Sequence, residues 1–122
     1  MYSEILEKIK ENKIKLIKDQ LIDMQVQDIA DLLEEIDNPK DLIKVFKILP
    51  KTMGAEVFNY IDSDKQEKLV NALSDQEIGY LIEEMYIDAV DFIEEMPANI
   101  VERILKNSTP STRQQINQFL GY

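Results

Sequence analysis

The feature of this sequence that most restricts its fold is a regular spacing of apolar residues that are followed by helix-breaking or helix-capping residues. In the centre of the chain they recur every 12 residues, at Leu49-Pro50, Ile61-Asp62, Leu73-Ser74 and Met85. The segments between them begin near Asp, Asn, Gly or Ser and stop at an acid, Pro or Ser, which are residues that favour helix ends. The chain is therefore divided into short units of similar length.

Within the units, apolar residues follow helical spacing. Ile29, Leu32, Leu33 and Ile36 occupy positions i, i+3, i+4 and i+7 of one unit, and this spacing indicates one apolar helix face. The connections are too short for strand crossovers but sufficient for antiparallel helices. Because helices of about 10 residues are marginal alone, each must pack on its neighbours. We predict an all-α fold: a short α-solenoid, a right-handed superhelix of helical hairpins of about 24 residues, shorter than common helical repeats.

The first 24 residues depart from this spacing. The run EILEKIKENKIKLIKDQLIDM carries an Ile/Leu stripe and charges of both signs, which predicts one or two longer helices that cap the stack, as terminal repeats often do. The predicted organisation is N-terminal capping helices over 1–24 and a helical-repeat domain over 25–122. Self-association through the N-terminal end is a further possibility, because such a stripe also suits a coiled coil.

Composition argues against catalysis and against nucleic-acid binding. The 122 residues include no Cys and no His, which removes the usual nucleophile–base pairs. The three glycines form no phosphate-binding loop. The net charge is −10, and residues 61–95 hold eleven acids against two lysines, a net of −9. Such a surface repels phosphate backbones and attracts cations or basic proteins. We expect no enzyme.

A calcium loop in this acidic stretch is excluded by its sequence. The run DSDKQEKLVNAL places Glu67 where the loop requires Gly and Leu73 where it requires a bidentate Glu. We predict instead that Asp62 or Ser63 caps the following helix.

A different metal chemistry remains open. Asp88, Asp91 and Glu95 share one helical face, with Glu84 one turn earlier. Mg²⁺ suits such oxygen ligands and keeps most of its waters, so a site here would be weak until a second acidic surface closed on it. The alternative is that these acids only form a solvated surface that keeps the domain soluble and binds no metal.

Several phrases of the sequence occur together in a known family. DIADLLEEID, ILPKTMGAEVFNYID, EEMYIDAVDFIEEMPANIVERIL and STRQQINQFLGY follow one another in order. Together they resemble the N-terminal cytosolic domain of the magnesium transporter MgtE family, over about residues 25–122.

The resemblance implies a regulatory role. In that family the helical domain precedes a pair of CBS domains and a transmembrane channel, which are absent from these 122 residues. Mg²⁺ ions held between the helical and CBS domains favour the closed pore. The implied partners are the CBS domains of the same polypeptide and a second copy in a homodimer. The implied location is the cytoplasmic side of the plasma membrane.

Carried over onto this sequence, the resemblance implies Glu56, Asp88 and Asp91 as metal ligands. One departure affects the last two, because Asp88 is followed by Ala89 where the family has a second acid. Which of Asp88 and Asp91 faces the metal therefore stays open. Glu56 as an ordinary exposed carboxylate, and Asp88 as a helix N-cap, are the alternatives.

A second functional reading is a metal-independent interaction scaffold, like the flagellar rotor protein FliG. Its short-helix superhelical domains stack between molecules without metal, and phrases such as DIADLLEEID suit either reading. The acidic stretch and the phrase YIDAVDFIEEMP favour the transporter.

Overall fold

The computed structural model describes residues 3–85 and 88–120; at Asp88 it describes the backbone and not the side chain. Within these residues the chain is all-helical, which confirms the predicted fold class. The α-helices are α1 Ser3–Lys10, α2 Lys18–Ile22, α3 Val26–Glu34, α4 Pro39–Ile48, α5 Lys51–Phe58, α6 Ser63–Ala72, α7 Asp75–Met85, α8 Asp88–Glu94, α9 Ala98–Lys106 and α10 Pro110–Leu120.

The spacing seen in the sequence corresponds to the helices themselves. From α3 onward, successive helices begin 10 to 13 residues apart. Side-chain caps mark some of these starts. Asn38 Oδ1 accepts from the Lys40 backbone N–H at 2.9 Å, and Asp62 Oδ1 accepts from that of Lys65 at 2.9 Å. The predicted capping role of Asp62 is therefore confirmed.

Alternate helices pack against each other. Contacts join α3 to α5, α5 to α7 and α7 to α9, and α4 also contacts α6. The first residues of α3, α5, α7 and α9 are 23 to 25 positions apart, which matches the predicted two-helix unit. Each short helix therefore gains stability from its neighbours two helices away, as isolated helices of this length require. The right-handed superhelical twist stays a prediction.

Phe58 lies at the centre of the core. It is fully buried, and its ring centroid lies 6.1 Å from that of Phe46 and 4.9 Å from that of Phe92. Phe58 thus joins α5 to both α4 and α8. The edge-on geometry with Phe92 is one that aromatic pairs favour.

Lysine and arginine side chains from other helices cap helix C-termini, which sequence spacing does not predict. The unpaired carbonyls of a helix end require donors, and here Lys65, Arg103 and Arg113 supply them. Lys65 Nζ donates to the carbonyls of Leu33, Glu34 and Ile36, Arg103 to those of Val70 and Leu73, and Arg113 to those of Leu105 and Ser108.

The N-terminal segment differs from the one or two longer helices that were predicted. The helix α1 ends at Lys10, and Asn12 adopts a φ of 62°, a left-handed conformation that Asn tolerates better than most residues. A 3₁₀ turn over Ile14–Ile17 and the five-residue α2 follow. Lys44 Nζ donates to Asn12 Oδ1 at 3.2 Å, which links this turn to α4.

Gly79 allows close packing of α7 on the end of α9. A Cβ at this position would lie 2.9 Å from the Asn107 carbonyl oxygen, closer than carbon and oxygen normally approach.

Among residues 3–85 and 88–120, none of the helices combines the length and apolar character that a bilayer crossing requires.

Candidate metal-binding face

The acids of residues 61–95, here called the acidic stretch, point mainly into solvent. Two of the described ones, Glu67 and Glu77, are half-buried. The others are exposed, namely Asp62, Asp64, Asp75, Glu83, Glu84, Asp91, Glu94 and Glu95. Their carboxylates are therefore placed to meet ions or another protein.

The molecule's own cations neutralise little of this charge. Within the described part of the acidic stretch, ion pairs form at two acids. Asp75 Oδ1 lies 2.9 Å from Arg103 Nε, and Glu77 Oε1 lies 3.4 Å from Lys47 Nζ. The ammonium of Lys65 is engaged by the carbonyls at the end of α3. Most of the negative charge therefore remains exposed to solvent.

The fold places α8 near the start of α6 and so brings together acids from distant parts of the chain. Asp91 and Glu95 line an open cleft of ≈ 300 Å³, together with Asp62, Ser63 and Gln66. Asp62 lies 29 residues before Asp91, and sequence analysis predicted for it a capping role alone. Its place beside Asp91 depends on how the helices pack, which helical spacing alone does not reveal.

Asp62 is also bonded to a carboxyl group on α3. Its backbone N–H donates to Glu34 Oε1 at 2.8 Å. Burial, followed by a hydrogen bond between the Glu34 and Asp62 carboxyl groups, raises the pKa of Glu34 and outweighs the opposite effect of this backbone N–H. The hydrogen bond between the two carboxyl groups, followed by the bond from the Lys65 backbone N–H, lowers the pKa of Asp62. Asp62 thus keeps its negative charge at the cleft while Glu34 is the first of the two to take up a proton as pH falls.

Glu56 is exposed on α5, between the buried Ala55 and Val57. It lies one helical turn before Asn59, which lines the cleft beside Asp91. Glu56 itself is not among the described residues that line this cleft.

Asp88 begins α8 and lies one turn before Asp91. Its side chain is outside the described residues, as are Tyr86 and Ile87. Neither its predicted role as a metal ligand nor the N-cap alternative can therefore be placed in the structure.

The described acids do not form a closed metal site. Across residues 3–85 and 89–120, no group of three or more Asp or Glu side chains is arranged to hold a metal ion. The assignment of Glu56, Asp88 and Asp91 as ligands stays a prediction.

The fold and the exposed acids can now be set beside known proteins. The sequence matches the family model described as the MgtE intracellular N domain over residues 24–122. The match covers 99 of 122 residues. The chain belongs to this family. No curated protein matches it.

Membership confirms the resemblance seen in the sequence and sets the functional class of this MgtE N domain. The family is one of regulatory N-terminal domains of magnesium transporters and not a family of enzymes. For this MgtE N domain, the packing adds Asp62 and Glu95 to the acids near Asp91. Glu95 was recognisable from its helical spacing, whereas Asp62 was not.

Proposed function

We propose that this MgtE N domain is a regulatory Mg²⁺-sensing domain on the cytoplasmic side of the plasma membrane. Its acidic stretch docks on the CBS domains of the same polypeptide through Mg²⁺, and docking favours the closed pore in a homodimeric transporter. Glu56, Asp88 and Asp91 are the proposed ligands from this chain. The observation that supports the proposal most directly is the cleft that gathers Asp91, Glu95 and Asp62.

The exposed charge supplies the energetic basis. Facing carboxylates repel one another unless cations lie between them, and few acids of the described stretch are neutralised within the molecule. Two acidic surfaces therefore separate without divalent ions. Mg²⁺ keeps several waters and takes one or two carboxylates from each side, so a shared site does not require a preformed cage on this domain.

Linkage determines how Mg²⁺ acts on docking. A ligand shifts an equilibrium only through its different affinity for the two states, and a shared site exists only when the domains are docked. One ion at ten times its dissociation constant favours docking by about 1.4 kcal/mol. Several weak sites acting together would give a steep response near the cell's own free Mg²⁺ concentration.

The test is Mg²⁺-dependent compaction of the complete cytosolic region, followed by small-angle scattering and limited proteolysis. We expect compaction in the parent and a shift to higher Mg²⁺ in Asp91→Asn, and a larger shift when Asp88→Asn and Glu56→Gln are added. Asp28→Asn, which removes an exposed acid from α3, is the matched control and should behave as the parent.

Equal compaction in the parent and the triple variant would remove these residues from the proposal. Compaction that is complete without divalent ions would instead favour the metal-independent scaffold.

A further inference from the structure

A second cleft, between α4–α5 and α7, is mainly apolar and separate from the acids around Asp91. Its volume is ≈ 130 Å³, and it shares no lining residue with the cleft beside Asp91. Its apolar walls are formed by Phe46, Leu49, Ala55, Leu73 and Leu81. Apolar cavities of about 150 Å³ accommodate a benzene ring. The cleft is slightly smaller than this but opens to solvent, so it can accept a branched aliphatic side chain or most of an aromatic ring.

Gly54 keeps this cleft open. Glycine weakens a helix interior relative to alanine, so its presence in α5 requires a reason. A Cβ at Gly54 would lie 3.7 Å from Phe46 Cζ and 4.0 Å from Leu49 Cβ, which are ordinary contact distances. Close packing therefore does not require glycine here. A side chain at this position would instead extend the wall into the cleft.

Two exposed contacts flank the mouth of the cleft. Lys47 Nζ pairs with Glu77 Oε1 at 3.4 Å, and Lys51 Nζ lies 3.9 Å from the centroid of the Tyr80 ring. Exposed ion pairs and cation–π contacts of this kind are worth little. Both lysines can therefore exchange these partners for an incoming carboxylate without a large loss of stability.

The lysines at the mouth continue a row of positive charge along α4. Lys40, Lys44 and Lys47 are exposed and spaced at i, i+4 and i+7, so they lie on one helix face. Residues 38–55, here called the lysine segment, hold four lysines against Asp41, a net of +3. From Lys40 to Lys47 the row extends about 10 Å along the helix, which is the length of about three residues of extended peptide.

We propose that the cleft and the lysine row bind an acidic peptide segment of a partner protein. One aromatic or branched apolar side chain of the peptide enters the cleft, and its neighbouring carboxylates pair with Lys47, Lys51 and the lysines along α4. Charge complementarity selects this partner, because the cleft opens beside the lysine segment, which has a net charge of +3 in a chain whose net charge is −10. The proposal does not depend on metal sensing.

The test measures fluorescence anisotropy of labelled peptides titrated with this chain. The probes are an acidic peptide with one central Phe, the same peptide with Ala in place of Phe, and a peptide in which the acids are replaced by Lys. We expect the acidic Phe peptide to bind about tenfold more tightly than the Ala peptide, and its affinity to fall with added salt. Equal affinity of the Phe and Ala peptides, or a preference for the basic peptide, would overturn the proposal.

Two variants separate the cleft from the charges. Gly54→Leu extends a side chain into the cleft and should weaken binding at least about tenfold, with circular dichroism to verify the fold. The double variant Lys47→Gln/Lys51→Gln leaves the cleft open and should also weaken binding. The matched control Lys68→Gln/Lys106→Gln removes two exposed lysines elsewhere and should bind as the parent does.

If Gly54→Leu fails to fold, the two double variants decide the outcome. Equal loss of binding in both of them would show that net charge alone attracts the peptide, and would overturn a site at the cleft.

Discussion

The lysine segment and the acidic stretch use the same short helices and carry opposite charges. Residues 38–55 have a net charge of +3, and residues 61–95 have a net charge of −9. Both contribute to one core, because Phe58 packs against Phe46 of the lysine segment and Phe92 of the acidic stretch. The comparison shows that the buried positions set the fold, while the exposed positions between them are free to carry whichever charge a partner requires.

The two regions also differ in how tightly they pack. Each contains one helical glycine, but Gly54 borders an open cleft and Gly79 touches the backbone at the end of α9. The lysine segment therefore has room for a side chain from another molecule. The acidic stretch is closely packed at Gly79, and it presents its carboxylates on the outside.

The largest expected effect tests whether the two regions form one cooperative unit. Phe58→Ala removes the ring that both regions share and should lower the free energy of unfolding by about 3–5 kcal/mol, because it leaves a cavity in a fully buried site. Urea denaturation followed by circular dichroism measures this change. Two separate transitions in the parent would show that the regions unfold independently, contrary to a shared core.

The next prediction tests the difference in packing between the lysine segment and the acidic stretch. Gly79→Ala places a Cβ 2.9 Å from the Asn107 carbonyl oxygen, so α7 must move away from α9. Overpacking of this kind should lower the free energy of unfolding by about 1–3 kcal/mol, as measured by thermal and urea denaturation. A neutral or stabilising result would contradict the close approach of the two helices.

Gly54→Ala should stabilise the protein, in contrast to Gly79→Ala. The new Cβ meets Phe46 and Leu49 at ordinary contact distances, and alanine is the better helix former by about 0.5–1 kcal/mol. The free energy of unfolding should rise by about this amount in the same denaturation experiment. If both alanine variants destabilised equally, the contrast between an open and a closely packed region would be wrong.

The last expected effect is no larger than that of Gly54→Ala and concerns Glu77, the acid of the stretch that pairs with a lysine of the lysine segment. Ser74 and Glu77 form a capping box: the Ser74 backbone N–H donates to Glu77 Oε1 at 2.9 Å, and the Glu77 backbone N–H donates to Ser74 Oγ at 3.1 Å. The bond from the Ser74 backbone, with smaller help from the Ser74 hydroxyl and Lys47, lowers the pKa of Glu77 below its ordinary value of 4.5.

A lowered carboxyl pKa stabilises the folded state above the pKa of the unfolded chain, and this stability is lost as pH falls through the folded value. Glu77→Gln should therefore lower the free energy of unfolding by about 0.5–1 kcal/mol at pH 7 and by less at pH 3. Urea denaturation at both pH values measures the difference, with Glu84→Gln as the control on the same helix. An equal loss at both pH values would argue against a role for the charge.

Local patterns in the sequence predicted those parts of the molecule that depend on neighbouring residues. The 12-residue spacing predicted the succession of helices, since helix faces and caps are set by residues three or four positions apart. The same reasoning located the cap at Asp62 and the shared face of Asp91 and Glu95, which line one cleft. It failed for the N-terminal segment, because the left-handed turn at Asn12 interrupts an apolar stripe that reads as continuous helix.

The sequence by itself determined the all-α class, the helix starts and the membership of the MgtE N-domain family, because these follow from short-range periodicity and from ordered phrases along the chain. Only the tertiary structure decided which distant groups meet. Asp62 joins Asp91 at one cleft, Lys65 and Arg103 cap helices about 30 residues away, and Gly54 borders an opening. The physical reason is that periodicity specifies which face of a helix is buried and leaves unspecified which other helix covers it.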